Sequence, residues 1–491
     1  MEPPQPGLAG SPPVPSPLRP VRRPNPRLPV RSRADGRLVI TAVAVGACFD
    51  LAVHSGVATI ASTVLVLVAA AALLLGGRIR GRTSKVMIVA AALFGLTFTF
   101  RASPWVIIPA AVAVAVLLLI GTSLGADGGG LAGTFPALGS RVAVVFGHLI
   151  YAPGMFYYTG ASAQETNARK WGAGVLRGVL IGVPIMLIIG LLLASADPIF
   201  RSWFDPTLVL QHLLLLLIGA WLIVGLARAA TAERPLPGLR VAPSLGMLEA
   251  AIVLGGMCAL YAAFVAAQFV ALSGVGHRIL VTQGLTYAEY ARSGFFRLLI
   301  CAAITLLVLL SVRACANPAN PVLIGLSLLT VILTIGVVIV AFRRLQLYEA
   351  AFGLTMLRLA CFAVAVWIGV VFVLLGSTMT RRGLTRRQFP AAFIASGLLL
   401  IAIWIIANPV ALVARTNLHR AGQGGRLDIS QAMTLGPDAM PALLAGLKQL
   451  PSSQMRALRP VLCSSSSGQY GGTSFNLARF IASNALIRSC G

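Results

Sequence analysis

VLIGLSLLTVILTIGVVIVAF, residues 322–342, holds no ionisable side chain and no proline. As a helix it rises about 30 Å, the thickness of the hydrocarbon core of a bilayer. A helix satisfies its own backbone hydrogen bonds, which is the condition for crossing a medium without water. The stretch reads as a transmembrane helix that ends where Arg343 and Arg344 begin. The rest of the chain repeats the pattern. Hydrophobic residues make up 57% of it and charged residues only 11%, with a mean hydropathy of +0.88, whereas soluble domains carry about a quarter charged residues.

Further apolar runs of spanning length lie at 38–55, 57–75, 86–102, 105–122, 175–195, 207–227, 247–272, 295–312, 355–375 and 391–409. The stretch 141–158, RVAVVFGHLIYAPGMFYY, is ambiguous. Positive charge arbitrates, because cytoplasmic loops retain Lys and Arg. If 141–158 does not cross, Arg78, Arg80, Arg82, Lys85, Arg141, Arg169, Lys170, Arg228, Arg234, Arg240, Arg313, Arg381, Arg382, Arg386 and Arg387 share one side with the N-terminal arm. If it crosses, the four arginines at 381–387 land outside. The expected fold is an all-α, polytopic transmembrane helical bundle with eleven spans, or twelve. Residues 141–158 are expected to form a re-entrant or interfacial helix, which Pro153, Gly154 and the aromatic residues Tyr151, Phe156, Tyr157 and Tyr158 suit.

Residues 1–37 hold eleven Pro and seven Arg without apolar periodicity. They predict a disordered, basic, cytoplasmic arm. Residues 38–409 form the predicted membrane domain, and an odd number of crossings places 410–491 outside as a small helical tail. In that compartment Cys463 and Cys490 can oxidise to a disulfide, or they remain two separate thiols. The net charge of +26 follows loop placement, which argues for the lipid bilayer and other membrane proteins as partners rather than nucleic acid. No CxxC, HExxH, GxSxG, phosphate loop or dinucleotide fingerprint occurs, so no metal centre, cofactor or hydrolytic chemistry is indicated.

Ionisable residues near apolar runs are the natural candidates for function. Asp50 and His54 stand one helical turn apart at the end of the first span, where they can relay a proton or simply end the helix. His148 and His212 have no carboxylate nearby in sequence. Glu249 begins a span, a position the helix dipole favours. In TQGLTYAEYARSGFFR, 282–297, Thr286 and Glu289 have capping-box spacing, Arg292 is one turn from Glu289, and Tyr287 and Tyr290 form an aromatic ridge. In RRLQLYEAAFGLTMLR, 343–358, Glu349 can pair with Arg343, Arg344 or Arg358, and Gly353 permits a tight joint between helices.

LTYAEYARSGFFRLL at 285–299, RLQLYEAAFGLTMLRL at 344–359, and NPVALVARTNLHR from 408 with LDIS at 427–430 and DAMPALL at 438–444 resemble a bacterial multi-pass membrane family. That family is the domain of unknown function 4173, with its 4153 relative. The resemblance covers about 140–491. It points to Tyr287, Glu289, Tyr290, Arg292, Gly294, Tyr348, Gly353, Arg358, Asn408, Pro409, Asn417, Arg420 and Asp428, and implies no reaction.

The expectation is a non-enzymatic protein of the plasma membrane. It acts as an extracytoplasmic sensor or assembly partner, with a polar cluster of Tyr287, Tyr290, Glu289, Arg292, Glu349, Arg358 and Asp428 on one outer face. A secondary transporter of a small solute or ion, and a transferase acting on lipid-linked substrates, are the rival readings.

Overall fold

The computed structural model of the protein describes residues 36–76, 79, 81–125, 133, 135–151, 206–230, 246–272, 287–316, 320–380, 382–464 and 471–490. The arm up to residue 35 and the span expected at 175–195 lie outside them. Among the described residues all regular structure is helical, and nine helices are long and apolar enough to cross a membrane. The protein is an all-α, multi-pass membrane protein.

One group of helices comprises α1 (Gly36–Ser55), α2 (Ile60–Leu75), α3 (Arg82–Gly95), the single turn α4 (Thr97–Phe100), α5 (Pro104–Ser123), α6 (Phe135–Tyr151) and α7 (Pro206–Ala229). A second group comprises α8 (Met247–Leu272), α9 (Tyr287–Cys315), α10 (Pro321–Phe352) and α11 (Met356–Ser377). Helix α12 (Phe389–Ala407) touches both groups, through α5 and α11. The tail contributes α13 (Pro409–Gly422), α14 (Ile429–Thr434), α15 (Met440–Gly446), α16 (Ser452–Ser464) and α17 (Leu477–Cys490).

The tail covers one end of the bundle, hereafter the capped end. Phe475 accepts from the amide of Ile60 at the start of α2 (2.9 Å), Asp438 binds the α4–α5 turn, and Asn417 binds the α10–α11 turn. Leu354, Met356 and Val106 of the bundle join Val410, Leu418, Leu443, Leu458 and Leu462 of the tail in one apolar cluster. The opposite, open end carries the starts of α3, α8, α10 and α12. On the flanks, large apolar side chains such as Ile332, Ile339, Ile403 and Ile406 are exposed. Hydrocarbon, not water, is the solvent that suits such a surface.

Element ends follow local chemistry. Gly56, at φ 93°, turns the chain between α1 and α2, so the run expected at 57–75 begins its helix only at Ile60. Asn320 caps α10 by accepting from Val322 N (3.0 Å), with Pro321 in the first turn. Helix α10 has 32 residues, about 48 Å, so it outruns the hydrocarbon layer and carries residues 343–352 as extra turns. It stops at Gly353, whose φ of 80° makes the expected tight joint. Asn408, at φ 46°, closes α12 and caps α13, which ends the last span two residues before the expected 409.

Helix α6 stays near the open end. Phe135 packs edge-on against Phe389 and Phe393 at the start of α12, and Arg141 donates to the carbonyl of Ser123 at the end of α5. At its far end Leu149 accepts from Trp221 Nε1 (2.5 Å), only about two turns from the C-terminus of α7. Helix α7 itself begins at the capped end beside Asp50. Up to Tyr151 the helix thus stays within about two turns of the open end, in keeping with the expected re-entrant or interfacial helix. Residues 152–158 lie outside the described residues.

Candidate functional site at the capped end

Helices α1 and α7 run antiparallel and meet at two glycines. A Cβ on Gly219 would lie 2.5 Å from the Cβ of Phe49 and 2.9 Å from the Cα of Gly46. Any larger residue separates the helices, the small-residue logic of helix pairs in membranes. Gly46 in turn faces the Leu216 carbonyl of α7; one turn beyond Gly46 comes Asp50, and one turn before Leu216 comes His212. The crossing therefore fixes these two residues opposite each other.

His212 Nδ1 lies 2.9 and 2.8 Å from the two carboxylate oxygens of Asp50. His54, one turn further along α1, places Nδ1 3.2 Å from Asp50 Oδ1 and 2.9 Å from the Asp50 carbonyl. The two imidazoles stack with centroids 4.1 Å apart and planes inclined by 22°. Asp50 and His212 are half-buried and His54 is exposed. His212, which has no carboxylate near it in sequence, thus belongs to a pair of histidines sharing one carboxylate. The signal was present in the ladder Gly46, Asp50, His54 on one face of α1. Choosing α7 as its partner required the tertiary pairing.

The 343–358 segment forms a structural joint with the tail. The Leu354 amide donates to Asn417 Oδ1 (3.1 Å), while Asn417 Nδ2 and Gln431 Nε2 donate to the Leu354 carbonyl (2.8 and 3.0 Å). Arg358 lies over the Tyr348 ring, 4.2 Å from its centroid, and donates to the Gly353 carbonyl. A Cβ on Gly353 would come 2.9 Å from Arg420 Nη1. Among the described residues Glu349 forms none of the ion pairs expected for it: Arg343 bonds Gln346 and Arg344 bonds Gln268. Asp428 is exposed and caps α14, accepting from Gln431 N (3.1 Å) and Ser430 Oγ (2.7 Å). These hydrogen bonds hold its carboxyl below the ordinary range. Glu249 likewise serves its helix, accepting from Gly246 N (3.1 Å). Tyr287, Glu289, Tyr290 and Arg292 fall on the first turns of α9, which is continuous with its span, and their side chains lie outside the described residues.

Two buried polar side chains lock the tail to the bundle. Asp438 accepts from the amides of Ala102 (2.8 Å) and Ser103 (2.5 Å), with Arg101 Nη1 3.9 Å away. Burial pushes its carboxyl above the ordinary range despite those donors. The fully buried Asn476 directs Nδ2 at the carbonyls of Ala58, Phe98 and Arg101, at 3.2, 3.0 and 2.8 Å. One side chain thereby ties the α1–α2 turn to the α4–α5 turn. Cys463 and Cys490 form a disulfide that joins α16 to α17, with their Cα atoms 5.6 Å apart.

The family model described as Domain of unknown function (DUF4153) matches residues 88–446. The chain belongs to that family. The match is to the 4153 member of the expected pair, and it starts well before residue 140, within α3. It takes in the α10–α11 joint, Asp438 and His212, while Asp50, His54 and Asn476 lie outside it. No curated protein and no solved structure matches the chain.

Proposed function

We propose that this DUF4153 protein resides in a bacterial plasma membrane with its arm in the cytoplasm and its capped end outside. There it acts as a sensor or assembly partner rather than an enzyme. The observation that carries this reading is the attachment of the tail. Asn476, Asp438 and Asn417 fix it to three separate turns of the bundle, so a partner binding the tail acts directly on the helix ends. The Cys463–Cys490 disulfide suits an oxidising exterior. The arginines at 382, 386 and 387, on the opposite end, suit a cytoplasmic one. The outward face of α17 exposes Phe480, Ile481 and Ile487, apolar area of the kind that partner surfaces use.

Two measurements test the reading. Single cysteines at Gln423 and Arg382, introduced into a background lacking the native free thiols, are treated in intact cells with a membrane-impermeant maleimide. Labelling at 423 and protection at 382 is expected, and the opposite pattern sinks the orientation. A photocrosslinking residue at Ile487 should then yield a discrete protein adduct. Adducts with lipid alone would refute the assembly role.

A further inference from the structure

We propose that Asp50, His54 and His212 form a binding site for a divalent first-row transition-metal ion such as Zn²⁺. Two imidazole nitrogens and a carboxylate are the nitrogen and oxygen donors that such ions take, and three protein ligands leave positions open for water or substrate. The spacing fits. Ligand atoms around a tetrahedral ion with bonds of about 2.0–2.1 Å stand about 3.3 Å apart. Here both Nδ1 atoms lie 2.8–3.2 Å from carboxylate oxygens of Asp50, and one donor atom from each residue falls within 4.8 Å of the others.

Electrostatics favours the same occupant. Both rings turn Nδ1 toward one carboxylate while stacking at 4.1 Å. One dication between the three groups takes a neutral imidazole from each histidine; His54 Nδ1, which faces the Asp50 carbonyl at 2.9 Å, gives up that contact on ligation or leaves Nε2 as the ligand atom. The glycine contact between α1 and α7 holds the ligands in place before the ion arrives, and preorganisation is the main requirement of a metal site. Partial exposure of His54 leaves a path for the ion. This goes beyond the sensor or assembly reading and does not depend on which side of the membrane the capped end faces.

The test uses the tag-free, full-length protein in nanodiscs, stripped with a chelator and titrated with Co²⁺. One equivalent is expected to bind with visible ligand-field bands that Zn²⁺ abolishes by competition. His54→Gln and His212→Gln should each weaken binding by about 100-fold or more. His419→Gln, in the tail, should leave it unchanged. Zn²⁺ should also raise the unfolding temperature of the native protein and fail to do so for Asp50→Asn, a near-isosteric variant that keeps the site testable if a histidine variant misfolds. Absence of saturable binding near one equivalent overturns the proposal, as does undiminished affinity in the His54→Gln/His212→Gln double variant.

Discussion

The two ends of the bundle are built on opposite principles. At the capped end the turns between helices are bound by buried side chains of the tail, Asp438 and Asn476. Two histidines and a carboxylate sit against the same end. At the open end Arg313 and Arg386 border a cavity of about 240 Å³ together with Ser311, Thr378 and Phe389. Arg386 reaches the Arg313 carbonyl from an exposed position. Among the described residues the acidic side chains Asp50, Glu349, Asp428 and Asp438 lie toward the capped end, and only Glu249 lies at the open one. The contrast teaches where free energy is concentrated. A buried polar group that loses its partner carries the full cost of desolvation, whereas an exposed guanidinium exchanges one partner for water or a lipid headgroup.

The sharpest test removes the buried amide. Asn476→Ala strips three carbonyls of a donor in a dry site, and destabilisation of at least about 3 kcal/mol is expected. It should appear as rapid proteolysis of the tail and a lower unfolding temperature. Cys463→Ser/Cys490→Ser opens a loop whose cysteines are 27 residues apart in sequence, at a cost of about 3 kcal/mol. That loss should loosen α16 and α17 in hydrogen exchange while α1–α12 stay protected. Gly219→Val forces α1 and α7 apart for about 2 kcal/mol. If unfolding midpoints do not move, the glycine contact is not what holds His212 against Asp50.

Asp438 supplies a pH-dependent version of the same comparison. Its folded carboxyl titrates above the ordinary 3.8, so the folded state binds a proton that the unfolded chain has already released. Stability from this group is therefore greatest at acid pH and falls as pH rises through the folded pKa. The protection factors of the amides at 438 and 439, observed rate against intrinsic rate at each pH, should rise on acidification from neutral pH. Asp438→Asn, which keeps an acceptor for the Ala102 and Ser103 amides, should flatten that profile. An unchanged profile in the variant would assign the dependence to another group.

The long apolar helices among the described residues were legible in the sequence because twenty apolar residues admit one structure in lipid, whereas charge bias, with Pro153 and Gly154, was the argument for the expectation that 141–158 does not cross. The Gly353 joint was legible too, since a glycine between two helical patterns has few other uses. The histidine site was not. Asp50 and His212 are separated by 162 residues, and an apolar helix face offers many partners of equal hydrophobicity. The roles of Asp438 and Asn476 were hidden for a related reason. Nothing in the spacing around either residue shows a buried partner, because their partners are backbone groups of turns more than 300 residues away in sequence.

The smallest effect is expected at the open end, from Arg386→Gln. Its guanidinium donates to the last turn of α9, where a positive charge meets the negative pole of the helix, an interaction worth only a few tenths of a kcal/mol when exposed. Glutamine keeps a donor and loses the charge, so the unfolding free energy should change by less than about 0.5 kcal/mol. The measurement is an unfolding midpoint taken beside that of Asn476→Ala under identical conditions. Equal shifts would mean that the exposed arginine holds its helix end as firmly as the buried amide holds the tail. The two ends would then be stabilised alike, and the difference in burial between them would have no energetic consequence.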